Sequence, residues 1–407
     1  MTALASIIMS DIVPLRTRGT WQGVLNIIFG IGTASGGPVG GWLSDTVGWR
    51  WAFTGQVPIT FMGVLMIAIV LHVPEAPAKF TGTNLQGSST KAKLQRVDFT
   101  GAFTLTSAVS CLLISLDLST NSINYRFTSP ITQFLLIASI LLFVAFYHIE
   151  NSYAVEPFFP PALLRRREIL APWLTNFFCF ATSIPVIFQI PLFYQAVLGS
   201  SATVAGQRLI PMVLGGMMGG ICGGIYIQKT GRYYWLTFSS YLAQLLGVGI
   251  ILICMMVTGR GPLEGTIVGF MHLGMIMFNS GVASGITALL IALISNVTSE
   301  EYAVVIAITY LFRSIGSAVA LSFSALLVQN GLKRRLLKDL GNRNDIHQIL
   351  MRVSRDLDYI RELNPDVAAV VRRSYQGGLS DALLFALVLA LLCWMCSWAL
   401  REVRVRK

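Results

Sequence analysis

The chain has 407 residues, of which 54% are hydrophobic and only 12% charged, with a formal net charge of +11. A soluble domain carries about 25% charged residues, so half that level excludes a water-exposed globular surface. The bases sit in connecting segments rather than on one face, which excludes nucleic acid as the reason for the positive charge.

In chain order, residues 2–14 come first: Asp11 and Pro14 interrupt them, and the run is too short to span a bilayer. It lacks the basic start of a signal peptide and reads as the tail of a helix whose beginning is missing. Ten complete apolar spans follow, at 21–43, 52–73, 99–117, 130–149, 170–194, 203–226, 234–257, 265–291, 303–329 and 381–400. Each lies within or close to a charge-free run, and about 20 apolar residues suffice to cross hydrocarbon as a helix. Short alternating strands, the mark of a transmembrane barrel, do not occur. The fold class is an all-α polytopic membrane protein.

The spans divide the chain into three expected regions: a partial N-terminal transmembrane bundle over 1–97, two extra central spans and a linker over 98–169, and a six-span C-terminal bundle over 170–407. The segment 330–380 is expected to be a non-cytoplasmic loop, with an amphipathic helix across 345–363 that caps the bundle. Lys and Arg concentrate in alternate loops (Arg16 and Arg18; Lys91 and Lys93; Arg165 to Arg167; Lys229 and Arg232; Arg401 to Lys407), which places these on the cytoplasmic side. The six cysteines all fall inside apolar spans and imply no disulfide framework.

Two glycine fields stand out. In the span 21–43, Gly32, Gly36 and Gly40 recur every four residues, as do Gly37 and Gly41, with Pro38 among them. In the span 203–226, Gly215, Gly219 and Gly223 form one such row and Gly216, Gly220 and Gly224 another. Glycine costs about 1 kcal/mol per helical position relative to alanine. In lipid, where no hydrophobic drive joins helices, small residues mark close backbone approach. The two fields are expected to face each other as a seam between bundles.

The pattern Gly23-x8-Gly32-x3-Gly36-Gly37-Pro38-Val39-Gly40-Gly41 resembles the antiporter signature of the major facilitator superfamily, with Pro38 one place later than usual. The stretches "SDIVPLRTRGTWQG" (10–23), "DTVGWRWAFTGQVP" (45–58), "AGQRLIP" (205–211), "GGIYIQKTGRYYW" (223–235) and "ITYLFRSIGSA" (308–318) resemble the fourteen-span proton antiporters, most of all fungal vacuolar basic amino acid transporters. The resemblance implies a major facilitator fold lacking the family's first three helices and the start of the fourth. It also implies proton-coupled export or vacuolar uptake of a small cationic or amphipathic substrate, across the vacuolar or plasma membrane. Alternatives are a multidrug antiporter and a transport-incompetent fragment with a structural or regulatory role.

Charge inside a membrane is costly and points to function. Arg313 lies deep in the span 303–329 and is a candidate counter-charge for substrate or a carboxylate. Asp11, with Arg16 or Arg18, and the pair Asp45 and Arg50 are gate or coupling candidates. His272 is a candidate for titration near neutral pH. Gln189, Tyr194, Gln195 and Asn279 are candidate cavity-lining groups. No HExxH, GxSxG or P-loop pattern occurs, so no enzyme chemistry, cofactor or metal is expected, and transport is expected to be secondary.

Overall fold

The computed structural model describes residue 8 and residues 18–70, 98–121, 129–152, 161–258, 264–298, 301–340, 346–355, 357 and 359–402. Among the described residues fifteen helices follow in order: α1 (Arg18–Thr46), α2 (Trp49–Thr54), α3 (Gln56–Val70), α4 (Phe99–Asn121), α5 (Pro130–Ser152), α6 (Pro161–Leu164), α7 (Arg167–Ala196), α8 (Ala202–Gln207), α9 (Ile210–Thr230), α10 (Tyr234–Val257), α11 (Glu264–Ser295), α12 (Tyr302–Leu340), α13 (Ile346–Arg355), α14 (Tyr359–Glu362) and α15 (Pro365–Ser397). Nine stretches among the described residues are helical, long and apolar enough to cross a membrane, and the glycine-rich α1 adds a tenth long helix. The protein is an all-α polytopic membrane protein.

The C-terminal half is a closed bundle. α7 packs on α12 and α15, α10 on α11 and α15, and α9 on α11. Its centre is filled by Phe193, Tyr194, Tyr241, Met271, Met275 and Phe278, all buried. Several buried hydroxyls find acceptors within their own helices, as lipid offers none. Thr175 donates to Ala171 O at 2.7 Å, Thr182 to Phe178 O at 2.9 Å and Ser183 to Cys179 O at 2.6 Å.

The segment 330–380 is mostly helix rather than loop, a correction to the sequence reading. α12 runs on to Leu340 and α15 begins at Pro365. The bases Lys333, Arg334 and Arg335 suggested a loop, but a helix of 39 residues is about 58 Å long at 1.5 Å per residue and carries its charges beyond the hydrocarbon. Arg335 meets Asp381 of α15 bidentately, at 2.7 and 3.0 Å. The amphipathic segment does fold onto the bundle: Ile349, Val353 and Ile360 bury against Leu336, Val371 and Tyr375.

The span expected over 203–226 is present as one stretch, 202–230, with a local irregularity in its first third. α8 ends at Gln207, Arg208 and Leu209 turn, and α9 restarts with Pro211 in its first turn, where a missing N–H costs nothing. In the N-terminal half, α4 and α5 pair through Ser139, whose hydroxyl donates to Ala108 O at 2.8 Å, and α4 leans on α12. No residue of α3 is buried. α1 instead reaches across to α8 and α9 of the C-terminal half.

The two ends of the molecule can be told apart by their contacts. Arg166 pairs with Glu301 at 3.2 Å, Arg401 with Glu168 at 3.3 Å, and Tyr233 Oη donates to Arg401 O at 2.7 Å. These contacts gather the segments near 166–168, 233, 301 and 401 at one end. They belong to loops that the Lys and Arg distribution places on a common side.

Candidate functional site

Arg313 sits eleven residues past the start of α12, about 16 Å along the helix. It cannot reach an interface from there, and the chain supplies partners instead. Its Nε donates to Asn176 Oδ1 of α7 at 3.0 Å. Its guanidinium lies 4.9 Å from the ring centres of both Phe180 and Tyr310. Each such ring contact stabilises a desolvated cation by up to about 2 kcal/mol. Asn176 is itself fixed, donating to Pro172 O at 3.1 Å. Trp173 Nε1 donates to Thr309 Oγ1 at 3.1 Å and its ring stacks on Phe312, so α7 and α12 are pinned just before the arginine. Gly316 allows this approach: a Cβ there would stand 2.6 Å from Phe177 O. A small cavity of about 50 Å³, lined by Thr287, Thr309 and Tyr310, opens beside the guanidinium. The arrangement is a fixed cation with an aromatic frame and hydroxyl neighbours.

A second cation lies at the helix break. Arg208 packs over the ring of Tyr194 at 5.6 Å, and Tyr194 Oη donates to Met271 Sδ at 3.7 Å. His272, next to Met271, is half-buried and its Nε2 has no hydrogen-bond partner among the described residues. The sequence reading missed Arg208. The signal was present in "AGQRLIP", where a base precedes a proline inside an apolar run.

The third element joins the halves. Asp45, at the end of α1, accepts the amide of Thr203 at 2.9 Å and also its hydroxyl, through Oδ2. Asp45 lies beyond the apolar span 21–43, and the Thr203 hydroxyl, followed by the amide, holds its carboxyl below the ordinary carboxylate value. One turn earlier, the backbones nearly touch: a Cβ on Gly37 would lie 3.1 Å from Gly206 O, and one on Gly41 2.7 Å from Ala202 O. Only glycine lets α1 and α8 approach so closely.

The span 203–226 is the neighbour of α1, as expected, but the close contact uses its start, around Gly206, and not the glycine rows at 215–224. Gly215, Gly219 and Gly223 of α9 pack against Ile276, Ser280 and Ser284 of α11, within their own bundle. Gly216 meets the side chain of Asn279, Gly220 lies near Ala283, and Gly224 has no neighbour within 4 Å. Gly32, Gly36 and Gly40 also face open space. Gly23 lies within α1. The close contact runs through Gly37 and Pro38 against Gly206, and through Gly41 against Ala202 and Thr203.

The remaining candidates separate as well. Gln195 lines a large cavity at the Asp45 end of the molecule. Gln189, Tyr194 and Asn279 do not line that cavity but tie helices together. Gln189 donates to Ser324 of α12, and Asn279 to Met212 O of α9 at 2.8 Å. Arg50 stacks 4.7 Å from the ring of its neighbour Trp49, so its visible contact is local. Asp11 and Arg16 lie outside the described residues, and Arg18 opens α1. No group of three or more metal-ligating side chains occurs among the described residues.

Residues 1–321 match the Major Facilitator Superfamily. The chain belongs to this superfamily. It is 32% identical over 399 residues to the multidrug resistance protein fnx1 of Schizosaccharomyces pombe, covering 98% of this chain and 72% of that one. It is 30% identical over 404 residues to the vacuolar membrane amino acid uptake transporter fnx2 of the same yeast, covering 99% of this chain and 66% of that one. The vacuolar basic amino acid transporter 2 of Saccharomyces cerevisiae is 26% identical over 396 residues, covering 96% of this chain and 81% of that one. As a major facilitator transporter, the chain places its antiporter-like glycine motif on α1, where it forms the close contact with α8.

Proposed function

We propose that the protein is a proton-coupled carrier that moves basic amino acids, with vacuolar uptake as its setting. It works by alternating access, one bundle rocking against the other, and not by enzyme chemistry. The observation that carries this reading is the joint between the halves: the Asp45–Thr203 contact and the glycine contact between α1 and α8 close the chain at one end. A joint with so few interlocking side chains can part and re-form. Arg313, framed by Phe180 and Tyr310, supplies a fixed charge between helices of the C-terminal bundle that can hold a substrate carboxylate or answer a proton-carrying group. Two of the relatives named above are amino acid transporters by description, and they support the substrate class. Uptake of labelled L-lysine into vacuolar vesicles, with and without a protonophore, tests the reading. Protonophore-sensitive uptake that depends on this chain is the expected result.

Multidrug export is the second reading, favoured by the similarity to fnx1 and by the aromatic frame around Arg313. Efflux of an amphipathic dye, unaffected by excess lysine, would select it. A structural or regulatory role is the third, and the complete exposure of α3 favours it, because that helix offers a whole surface to other membrane helices.

A further inference from the structure

At the Asp45 end lies a cavity of about 440 Å³, apart from the Arg313 pocket in both position and lining. Four separate segments converge on it. α1 supplies Asp45, the end of α7 and the turn after it supply Gln195, Gly199 and Ser200, α14 supplies Arg361, and α15 supplies Arg372. Its size falls within the range of small-molecule sites, about 300–1,000 Å³.

Among the described residues that line this cavity, positive charge exceeds negative. Two guanidinium groups stand against one carboxylate, and that carboxylate already serves Thr203 through one oxygen. Arg361 is anchored, its Nη2 donating to Gly199 O at 2.9 Å. Arg372 is held differently. Its Nε is buried and has no hydrogen-bond partner among the described residues. Its Nη2 lies 3.5 Å from where a Cβ on Gly199 would stand, and Gly199 adopts φ +66, which favours glycine. The backbone therefore leaves room for the guanidinium but offers Nε no acceptor. A buried donor without an acceptor is costly. Arg372 also lines the cavity, where its guanidinium offers an entering carboxylate the planar fork that matches its two oxygens best.

We infer that this cavity binds a small zwitterion, an α-amino acid, with its carboxylate on Arg372 and its ammonium towards Asp45. The inference takes only the choice of an amino acid as occupant from the proposed transport reading; the demand for a carboxylate comes from Arg372 itself. The cavity is a waiting or release site at the mouth of the joint between the halves.

The test uses Ser200→Cys in the full chain in nanodiscs, where both faces are open to solvent, with the unsubstituted protein as the background for its own cysteines. The maleimide reaction rate at position 200 is measured with L-lysine or with cadaverine, which lacks the carboxylate. L-lysine is expected to slow the reaction at least threefold and cadaverine not at all. Adding Arg372→Gln should abolish the protection, while Arg372→Lys, which keeps charge but loses the fork, should restore it in part. Equal rates with and without lysine, equal protection by cadaverine, or full protection in Arg372→Gln would each overturn the inference. Unchanged α-helical circular dichroism shows that a variant is folded. Loss of protection with lysine flux intact rejects this site alone, whereas protection without flux rejects the transport reading alone.

Discussion

Asp45 and Thr203 stand 158 positions apart in sequence, yet the Asp45 carboxylate accepts both the backbone amide and the hydroxyl of Thr203. The contact links the last turn of α1 to the first turn of α8, and so links the N-terminal half to the C-terminal bundle. Next to it the helices approach through Gly37, Gly41 and Gly206.

The pH behaviour of this latch follows from its hydrogen bonds. They favour the ionised form, so the folded-state pKa of Asp45 is depressed below its ordinary 3.8. A depressed carboxylate contributes to closure at pH values above its ordinary pKa and loses that contribution as pH falls through the lowered value. Spin labels at Trp42→Cys and Gln207→Cys should report one closed distance from about pH 7 to about pH 5, with opening only in strongly acidic solution. Asp45→Asn should shift the distribution towards the open distance at neutral pH. Opening of the unsubstituted latch between pH 7 and 5 would contradict this assignment.

The glycines should separate by partner. Gly206→Ala drives a methyl into the Gly37 backbone and Gly41→Ala into Ala202, at a cost of about 1–3 kcal/mol for overpacking. The damage falls on the contact between the halves, so lysine flux should drop at least fivefold while thermal stability of the C-terminal bundle holds. Gly219→Ala collides with Ser280 inside that bundle and should lower the melting temperature. Gly36→Ala and Gly40→Ala meet nothing within 4 Å and should be near neutral in both assays. Flux and melting measured together check the pattern.

The spans were legible because membrane helices advertise themselves as charge-free runs. What decided the joint was not. The joint rests on Thr203 meeting Asp45, a contact that periodicity cannot show. The rows at Gly215 and Gly219 looked like a partner for α1, but a four-residue glycine spacing states only that some helix comes close, and α11 takes that place. Arg313 was visible by depth alone; its fixing by Asn176 and its two rings required the fold. The ends of α12 and α15 were misplaced because charge was taken as the end of a helix, whereas Arg335 and Asp381 pair between two helices that continue past the apolar zone.

Arg313 should matter through its shape as well as its charge. Arg313→Lys keeps the cation but loses the planar group set between Phe180 and Tyr310 and the Nε bond to Asn176. At equal membrane abundance, lysine flux is expected to fall about tenfold, equivalent to roughly 1.4 kcal/mol. Asn176→Leu should fall in the same direction, and the double variant should lose less than the sum of the two. Normal flux in Arg313→Lys would remove the arginine from the transport path.

The orientation has its own check. Residues 166–168, 233, 301 and 401 meet at one end, and α13 and α14 lie at the other. The Lys and Arg bias puts the first end in the cytoplasm. A tag inserted at Gly341 should react only from the non-cytoplasmic side, and a tag after Lys407 only from the cytoplasmic side. The opposite labelling would invert the topology.

The central claim is that the α1–α8 joint must open for transport. Ser44 and Ser201 flank it, both lining the cavity beside Asp45. With Ser44→Cys and Ser201→Cys bridged by a short cleavable bis-maleimide, the joint is held shut. Lysine uptake in reconstituted vesicles should fall to background on bridging and return when the linker is cleaved. Uptake at the unbridged rate in protein shown to be fully bridged would contradict the account.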